Sequence, residues 1–231
     1  MATPCRALMI SPPSYCRHVA DDGQQAYNPD AIRDLYHGMA ADYAVRFGAE
    51  LREQDSDTAF LDTALASIPD GAVLDVGCGP AQVSGYLLSR GRTAIGIDMA
   101  PGMLAAAARL VPDAGLIAAD LLALPLRPAS CAGAIASYSL HHLPRSLIRA
   151  ALTGLREVLK PGGVLIVITH GGGGEEWLDR PEGRIVVTRY SPEELAGRLR
   201  DSGLVPEATS TRPPREGEYP ADKVRISARR A

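Results

Sequence analysis

Val73-Leu74-Asp75-Val76-Gly77-Cys78-Gly79-Pro80-Ala81-Gln82 decides how this chain folds. A short apolar run turns on two glycines one residue apart and opens into a helix-like segment, Gln82 to Ser89. Lacking a Cβ, Gly77 and Gly79 reach dihedrals closed to other residues and let a ligand approach the main chain. The helix start behind them offers unpaired N–H donors to an anionic group. On this stretch alone an ordinary strand-to-helix turn would read the same way, since glycine loops are common.

Working outward, strand candidates Ala72–Val76, Thr93–Ile97, Gly115–Ala119, Ala132–Ser137 and Val164–Ile168 are nearly all apolar. Between them lie helix candidates Gln82–Arg90, Pro101–Leu110 and Ser146–Leu159, with a short start at Leu143 to Leu147. Such alternation indicates a doubly wound α/β fold, a parallel sheet covered on both faces. Right-handed crossovers then bring the C-terminal strand ends to one edge, where ligands bind. Lys160-Pro161-Gly162-Gly163 reads as a helix stop and turn, and Gly171 to Gly174 as a flexible loop. Ser191, Pro192 and Glu194 open a capped helix reaching Ser202. Late strands Val205–Thr209 and Val224–Ala228 follow, joined through Pro213-Pro214.

Ahead of the glycine strand, residues 1–28 are irregular and polar and read as a mobile arm. A helix from Pro29 to about Glu53 and a second from about Thr58 to Ser67 make residues 29–71 a helical cap or lid. Residues 72–231 form the ligand-binding domain, and no second large domain is required.

The 231 residues carry 46% hydrophobic and 22% charged residues, as expected of a globular enzyme. A net charge of −3 argues against nucleic acid as the partner. No apolar run approaches the ~20 residues of a membrane span, and no secretory h-region is visible. Cys5, Cys16, Cys78 and Cys131 show no paired spacing, which favours a reducing, cytoplasmic home.

Asp98 ends the second strand, 21 positions beyond Gly77. An acid there is placed to accept hydrogen bonds from a ribose diol; the alternative is a cap for the helix at Pro101. Asp120 ends the third strand, where a carboxylate meets an exocyclic amine, with Leu121 as an apolar contact for a ring. Three successive strand ends bearing these groups in order are a stronger signal than any one of them.

Together with Ser139-Leu140-His141-His142-Leu143 and Leu155-Arg156-Glu157-Val158-Leu159-Lys160-Pro161-Gly162-Gly163, these stretches resemble the class I S-adenosylmethionine-dependent methyltransferases. The resemblance implies a Rossmann-like, doubly wound, seven-stranded sheet whose last strand is antiparallel, preceded by an N-terminal helical cap. It implies S-adenosyl-L-methionine as cofactor and S-adenosyl-L-homocysteine as product. Gly77 and Gly79, with Asp75 and Cys78 of the same motif, would hold the methionine part. Asp98 and Met99 would meet the ribose and adenine, Asp120 and Leu121 the adenine edge and face, and Ser137 the amino-acid moiety. Ala81 stands where many relatives have a third glycine. Ser137-Tyr138-Ser139-Leu140 replaces the Asn-Pro-Pro-Tyr signature of amide and base N-methyltransferases, which argues against DNA adenine or protein glutamine as acceptors.

Candidate bases are His170, His141 and His142, since imidazole titrates near neutral pH. His170, just past the fifth strand, is the preferred one; either member of the His141-His142 pair has packing or helix capping as its alternative. Tyr36, Tyr43, Tyr138, Trp177 and Tyr219 are candidate substrate contacts, with core packing the alternative for the first two. No metal site is expected. The reading is therefore methyl transfer to oxygen or nitrogen of a small molecule, such as a secondary metabolite, by a monomer or homodimer. A rival is a methyltransferase fold that uses its cofactor non-catalytically, as a cyclase or regulatory partner. An NAD(P)-dependent oxidoreductase is disfavoured, because Gln82 occupies the third glycine position of its fingerprint.

Overall fold

The computed structural model describes residues 27–47 and 55–231. Nearly all of the expected arm, and the expected continuation of the first helix to Glu53, lie outside the described residues.

Seven strands form one sheet: β1 (Ala72–Val76), β2 (Thr93–Asp98), β3 (Gly115–Ala118), β4 (Cys131–Ser137), β5 (Leu159–His170), β8 (Leu204–Arg212) and β9 (Lys223–Arg230). Their order is β3-β2-β1-β4-β5-β9-β8. The first five are mutually parallel, and β9 inserts antiparallel between β5 and β8. The sheet is doubly wound, as expected: β1 lies beside the central β4, and the chain builds outward from β1 in both directions. Val73, Leu74 and Val76 of β1, and Ala132, Ala134 and Ile135 of β4, are fully buried because helices cover both faces. Helices α3 (Gln82–Ser89), α4 (Pro101–Leu110), α5 (Ile148–Val158) and α6 (Pro192–Asp201) provide that cover. In α6, Ser191 Oγ accepts from the Glu194 amide at 3.1 Å, the cap that the sequence signals.

Two readings need correction. Leu159 to Gly163 is not a turn outside the sheet but the start of β5, which begins by pairing Leu159 with Cys131. A register shift between Cys131 and Gly133 and a positive φ of 75° at Gly162 absorb the irregularity. Beyond Gly171–Gly174 the chain does not loosen into a connection. It forms a hairpin, β6 (Glu175–Arg180) with β7 (Gly183–Thr188), separate from the main sheet. Only Ile185, Val186, Val187 and Thr188 of this hairpin are buried, so its apolar alternation is too short to announce it.

The hairpin supports helix α1 (Pro29–Phe47), which together with α2 (Asp55–Leu65) precedes β1. Ala31 and Ile32 of α1 pack on Ile185 of β7. Further along α1, Ala40 packs on Ala100 and Met103, and His37 Nδ1 accepts from the Gly102 amide at 3.0 Å. The helix is thus strapped across the C-terminal edge of the sheet. Gly183 is required at one strap: its φ is 130°, and an added Cβ would lie 2.9 Å from the Ala31 Cβ. Gly183→Val should therefore lift α1 from β7 without disturbing the sheet. Hydrogen exchange at residues 29–36 is expected to accelerate at least tenfold, while β1, β4 and β5 keep wild-type protection.

Candidate active site

A pocket opens at the C-terminal edge of β1 to β5 beneath α1, with roughly 1200 Å³ of empty space including its open mouth. Asp75, Gly77, Cys78 and Gly79 line it from the end of β1, Asp98 and Met99 from β2. Asp120 and Leu121 line it after β3, and Ser137 at the end of β4.

The glycine turn is tightly specified. Gly77 and Gly79 have φ of 66° and 52°. A Cβ on Gly77 would lie 2.5 Å from that of Ser139, whereas at Gly79 the nearest atoms stand at ordinary contact distance, 3.9 Å, so there the positive φ rather than crowding calls for glycine. Ala81, at φ 66°, occupies the left-handed region, at a cost of about 1 kcal/mol.

Asp98 does more than face the pocket. Its Oδ2 accepts from the Gly79 amide at 2.9 Å and its Oδ1 from the Ala100 amide at 2.8 Å. One carboxylate thus pins the glycine turn and the entry to α4, so the capping alternative is realised alongside the lining position. Burial raises its pKa against the backbone bonds. Asp75 accepts from the Ser84 amide and hydroxyl at 2.9 and 2.7 Å, and burial pushes its carboxyl up to about 7. Asp120 accepts from the Leu122 amide at 2.9 Å, and burial raises its pKa too.

Tyr36 and Tyr43 of α1 also line the pocket, their rings edge-on with centroids 5.9 Å apart. The Tyr36 hydroxyl lies 2.7 Å from His142 Nε2, and His142 Nδ1 lies 2.9 Å from the Val186 carbonyl. A carbonyl only accepts, so Nδ1 carries the proton, Nε2 is the acceptor, and Tyr36 donates. Burial lowers the His142 pKa to about 4, opposed by the Val186 bond. Burial raises that of Tyr36, reinforced by Tyr43 and Asp98.

Tyr138 lines the pocket at φ 50°, a strained conformation just past β4. Four other expected residues do not line it. His170 packs between Tyr138, His141 and Tyr219, with ring centroids at 5.2, 5.0 and 4.6 Å. His141 is buried behind His142, 3.9 Å between centroids. Tyr219 lies on the surface with its hydroxyl 3.0 Å from Arg189. Trp177 sits on β6 under the Arg184 guanidinium, 5.8 Å away. Lining residues not assigned to the site from sequence include Tyr27, Ile32, Asp57 and Met103, from segments with no motif to flag them, and Gln82, at the end of the glycine stretch. Among the described residues no group of three or more His, Cys, Asp or Glu side chains is arranged to hold a metal ion.

The imidazoles make stability pH-dependent. Burial depresses His142 and His170 from 6.5 to about 4 and lowers His141 further, aided by Lys223 near His141 and His170. A depressed folded pKa means the unfolded chain binds more protons, so this stability is full above about 6.5 and lost as pH falls toward 4. The midpoint of thermal unfolding should fall over that window. His170→Asn should shrink the fall, which differential scanning calorimetry from pH 7.5 to 4.5 would register.

Residues 73–163 match the family of the methyltransferase domain. An uncharacterized methyltransferase of Synechocystis sp. is 32% identical over 104 residues, 45% of this chain and 49% of the relative. A demethylmenaquinone methyltransferase of Renibacterium salmoninarum is 33% identical over 104 residues, 45% of this chain and 43% of the relative. The matched stretch thus spans about half the length of these curated relatives or less. The 1,6-didemethyltoxoflavin-N1-methyltransferase of Burkholderia thailandensis, solved with its substrate and S-adenosylhomocysteine, has the same fold. Its TM-score is 0.61 at 21% identity, over 91% of this chain and 97% of that one. No described helix is long and apolar enough to cross a membrane. Residues 73–163, which carry the glycine turn and the strand-end acids, thus match a methyltransferase domain, and the seven-stranded sheet with one antiparallel insertion is the fold of solved S-adenosylmethionine-dependent methyltransferases.

Proposed function

We propose that the protein transfers a methyl group from S-adenosylmethionine to an oxygen or nitrogen of a small molecule. The observation that carries this reading is the Tyr36–His142 hydrogen bond facing the same pocket as the glycine turn.

The pocket's chemistry suits the cofactor. Asp75, Asp98 and Asp120 line it and, among the described residues, no Lys or Arg does, which favours a ligand bearing a sulfonium and an ammonium. Gln82 Oε1 and Ser139 Oγ are buried there without a partner, ready for a polar amino-acid group. Asp98 retains lone pairs for a ribose diol, and Asp120 with Leu121 meets the adenine. When bound, the cofactor supplies an electrophilic methyl group carried on sulfur.

The chain's own part is positioning and proton removal. Since Tyr36 donates its proton to His142, its oxygen is left to accept from an acceptor hydroxyl or N–H. As the acceptor gives its proton to that oxygen, the Tyr36 proton moves to Nε2. The resulting imidazolium keeps its Nδ1–H on the Val186 carbonyl. In this reading His142, rather than His170, is the base, because His142 lines the pocket whereas His170 packs between Tyr138 and Tyr219 outside it. The 29–71 cap acts as a lid: α1 contributes Tyr36 and opens to admit ligands. Buried free cysteines, Cys78 and Cys131, favour a cytoplasmic reaction.

Radiolabelled-methyl transfer to a panel of phenols, alcohols and amines tests the proposal; no product from any acceptor class would sink it. Tyr36→Phe and His142→Gln should each lower turnover about 10²–10⁴-fold while leaving calorimetric S-adenosylhomocysteine affinity within threefold. His170→Ala should change turnover little. Wild-type turnover in Tyr36→Phe would remove the relay.

Asp98→Ala should weaken S-adenosylhomocysteine binding by roughly tenfold or more, since charge-assisted hydrogen bonds are worth about 1.5–3 kcal/mol each. It should also lower the melting temperature, because Gly79 and Ala100 lose their acceptor. A mutant with unchanged affinity would take Asp98 out of the binding site.

A further inference from the structure

Asp57, on α2, is 3% exposed, yet it lines the pocket. Its Oδ2 accepts from Arg212 Nη2 at 2.7 Å, and its Oδ1 from Arg212 Nε at 3.1 Å and Arg225 Nη1 at 2.8 Å. Arg212 and Arg225 come from β8 and β9 and are buried as well. A carboxylate gripped by a guanidinium fork and a second guanidinium is how proteins bind a free carboxylate or phosphate. Here the oxyanion belongs to the chain itself.

Position along the sheet says which ligand would meet it. The strand order puts Asp98 and Asp120 beside β2 and β3 at one end of the edge, and Arg225 and Arg212 on β9 and β8 at the other. The first end is the one assigned above to the nucleoside. The second is left for the methyl acceptor, together with Tyr138. The far side of Arg212 is held by Glu218, with Nη1 and Nη2 each 2.8 Å from its carboxylate oxygens. Asp57 therefore supplies the carboxylate on the side of the arginine pair that reaches the pocket.

We propose that Asp57 determines acceptor class: it occupies a two-arginine oxyanion clamp, so the pocket takes an uncharged or cationic acceptor and rejects carboxylates and phosphates. This rests on the methyl-transfer reading for the word acceptor, but the clamp itself does not. With Asp57 in place, an anionic acceptor meets aspartates and, among the described residues, no lining cation; with Asp57 removed, it meets two guanidinium groups. A merely structural staple between α2 and β8–β9 would respond to formate too, but would leave the preference between anionic and neutral acceptors unchanged.

The test uses the full chain and formate as probe. Asp57→Gly should melt lower than wild type in chloride, and formate at equal ionic strength should restore most of that loss. By calorimetry, formate should bind Asp57→Gly at least tenfold tighter than wild type or the Asp57→Gly, Arg225→Met double variant. Equal effects of formate and chloride would overturn the clamp. If Asp57→Gly folds poorly, recovery of folded protein on dialysis into formate but not chloride supports the proposal. Asp57→Asn, which keeps the side-chain shape, gives a second readout with the protein saturated in S-adenosylhomocysteine. Its preference for benzoate over benzamide, measured by ligand-observed NMR, should rise at least tenfold over wild type, and an unchanged ratio counts against the proposal. Unaltered S-adenosylhomocysteine affinity in these variants separates a failed clamp from a failed cofactor reading.

Discussion

The carboxylate of Asp98 holds the site in shape. By accepting from the Gly79 and Ala100 amides it joins the turn after β1 to the turn after β2, adding to the backbone bond from the Cys78 amide to the Ile97 carbonyl at 2.8 Å. Charge-assisted bonds in a buried setting are strong, and they cost least when donors are already fixed by neighbouring secondary structure. Parallel pairing of β1 with β2 aligns Val76 with Ile97, which brings Asp98 within reach of Gly79. The rest of the pocket is built around that junction.

Above it, α1 is held by few apolar contacts and several polar ones. Three of its residues are buried, and its contacts with Gly102, His142 and the hairpin are single hydrogen bonds or small patches. An element with so little buried area opens at lower free energy than the sheet beneath it. That suits a cover which carries Tyr36 into the pocket and must also release ligands. The hairpin β6–β7 has a matching duty: Val186 fixes the His142 tautomer while neighbouring Ile185 seats α1. Cover and imidazole are thereby set by one small structure.

Charge is distributed along the edge with similar economy. Acids face the pocket at both ends, but those at β2 and β3 hold backbone amides, whereas Asp57 neutralises arginines behind it. Lys223, buried beneath Tyr219, donates to the Tyr219 and Ala221 carbonyls and helps keep His170 neutral. The far side of the sheet edge is therefore cationic in its second layer and anionic or neutral where it meets the pocket.

Much of this was legible from the chain alone. Nearly continuous apolar runs marked the five parallel strands, because a strand buried on both faces has few polar positions to blur its signal. Glycines one residue apart and acids at successive strand ends marked the ligand edge, because parallel strands with right-handed crossovers deliver those ends together. The hairpin was hidden, since four buried residues beside a glycine loop do not form a distinctive pattern. Which histidine faces the pocket was equally hidden: His141, His142 and His170 all follow strand ends, and only packing against Tyr138, Tyr219 and Val186 separates them. Asp57 and its arginines are 155 and 168 positions apart in sequence, so their meeting belongs to the tertiary structure alone. Local pattern determines which segments become strands and where the ligand edge lies; long-range side-chain packing decides which groups reach that edge and in what charge state.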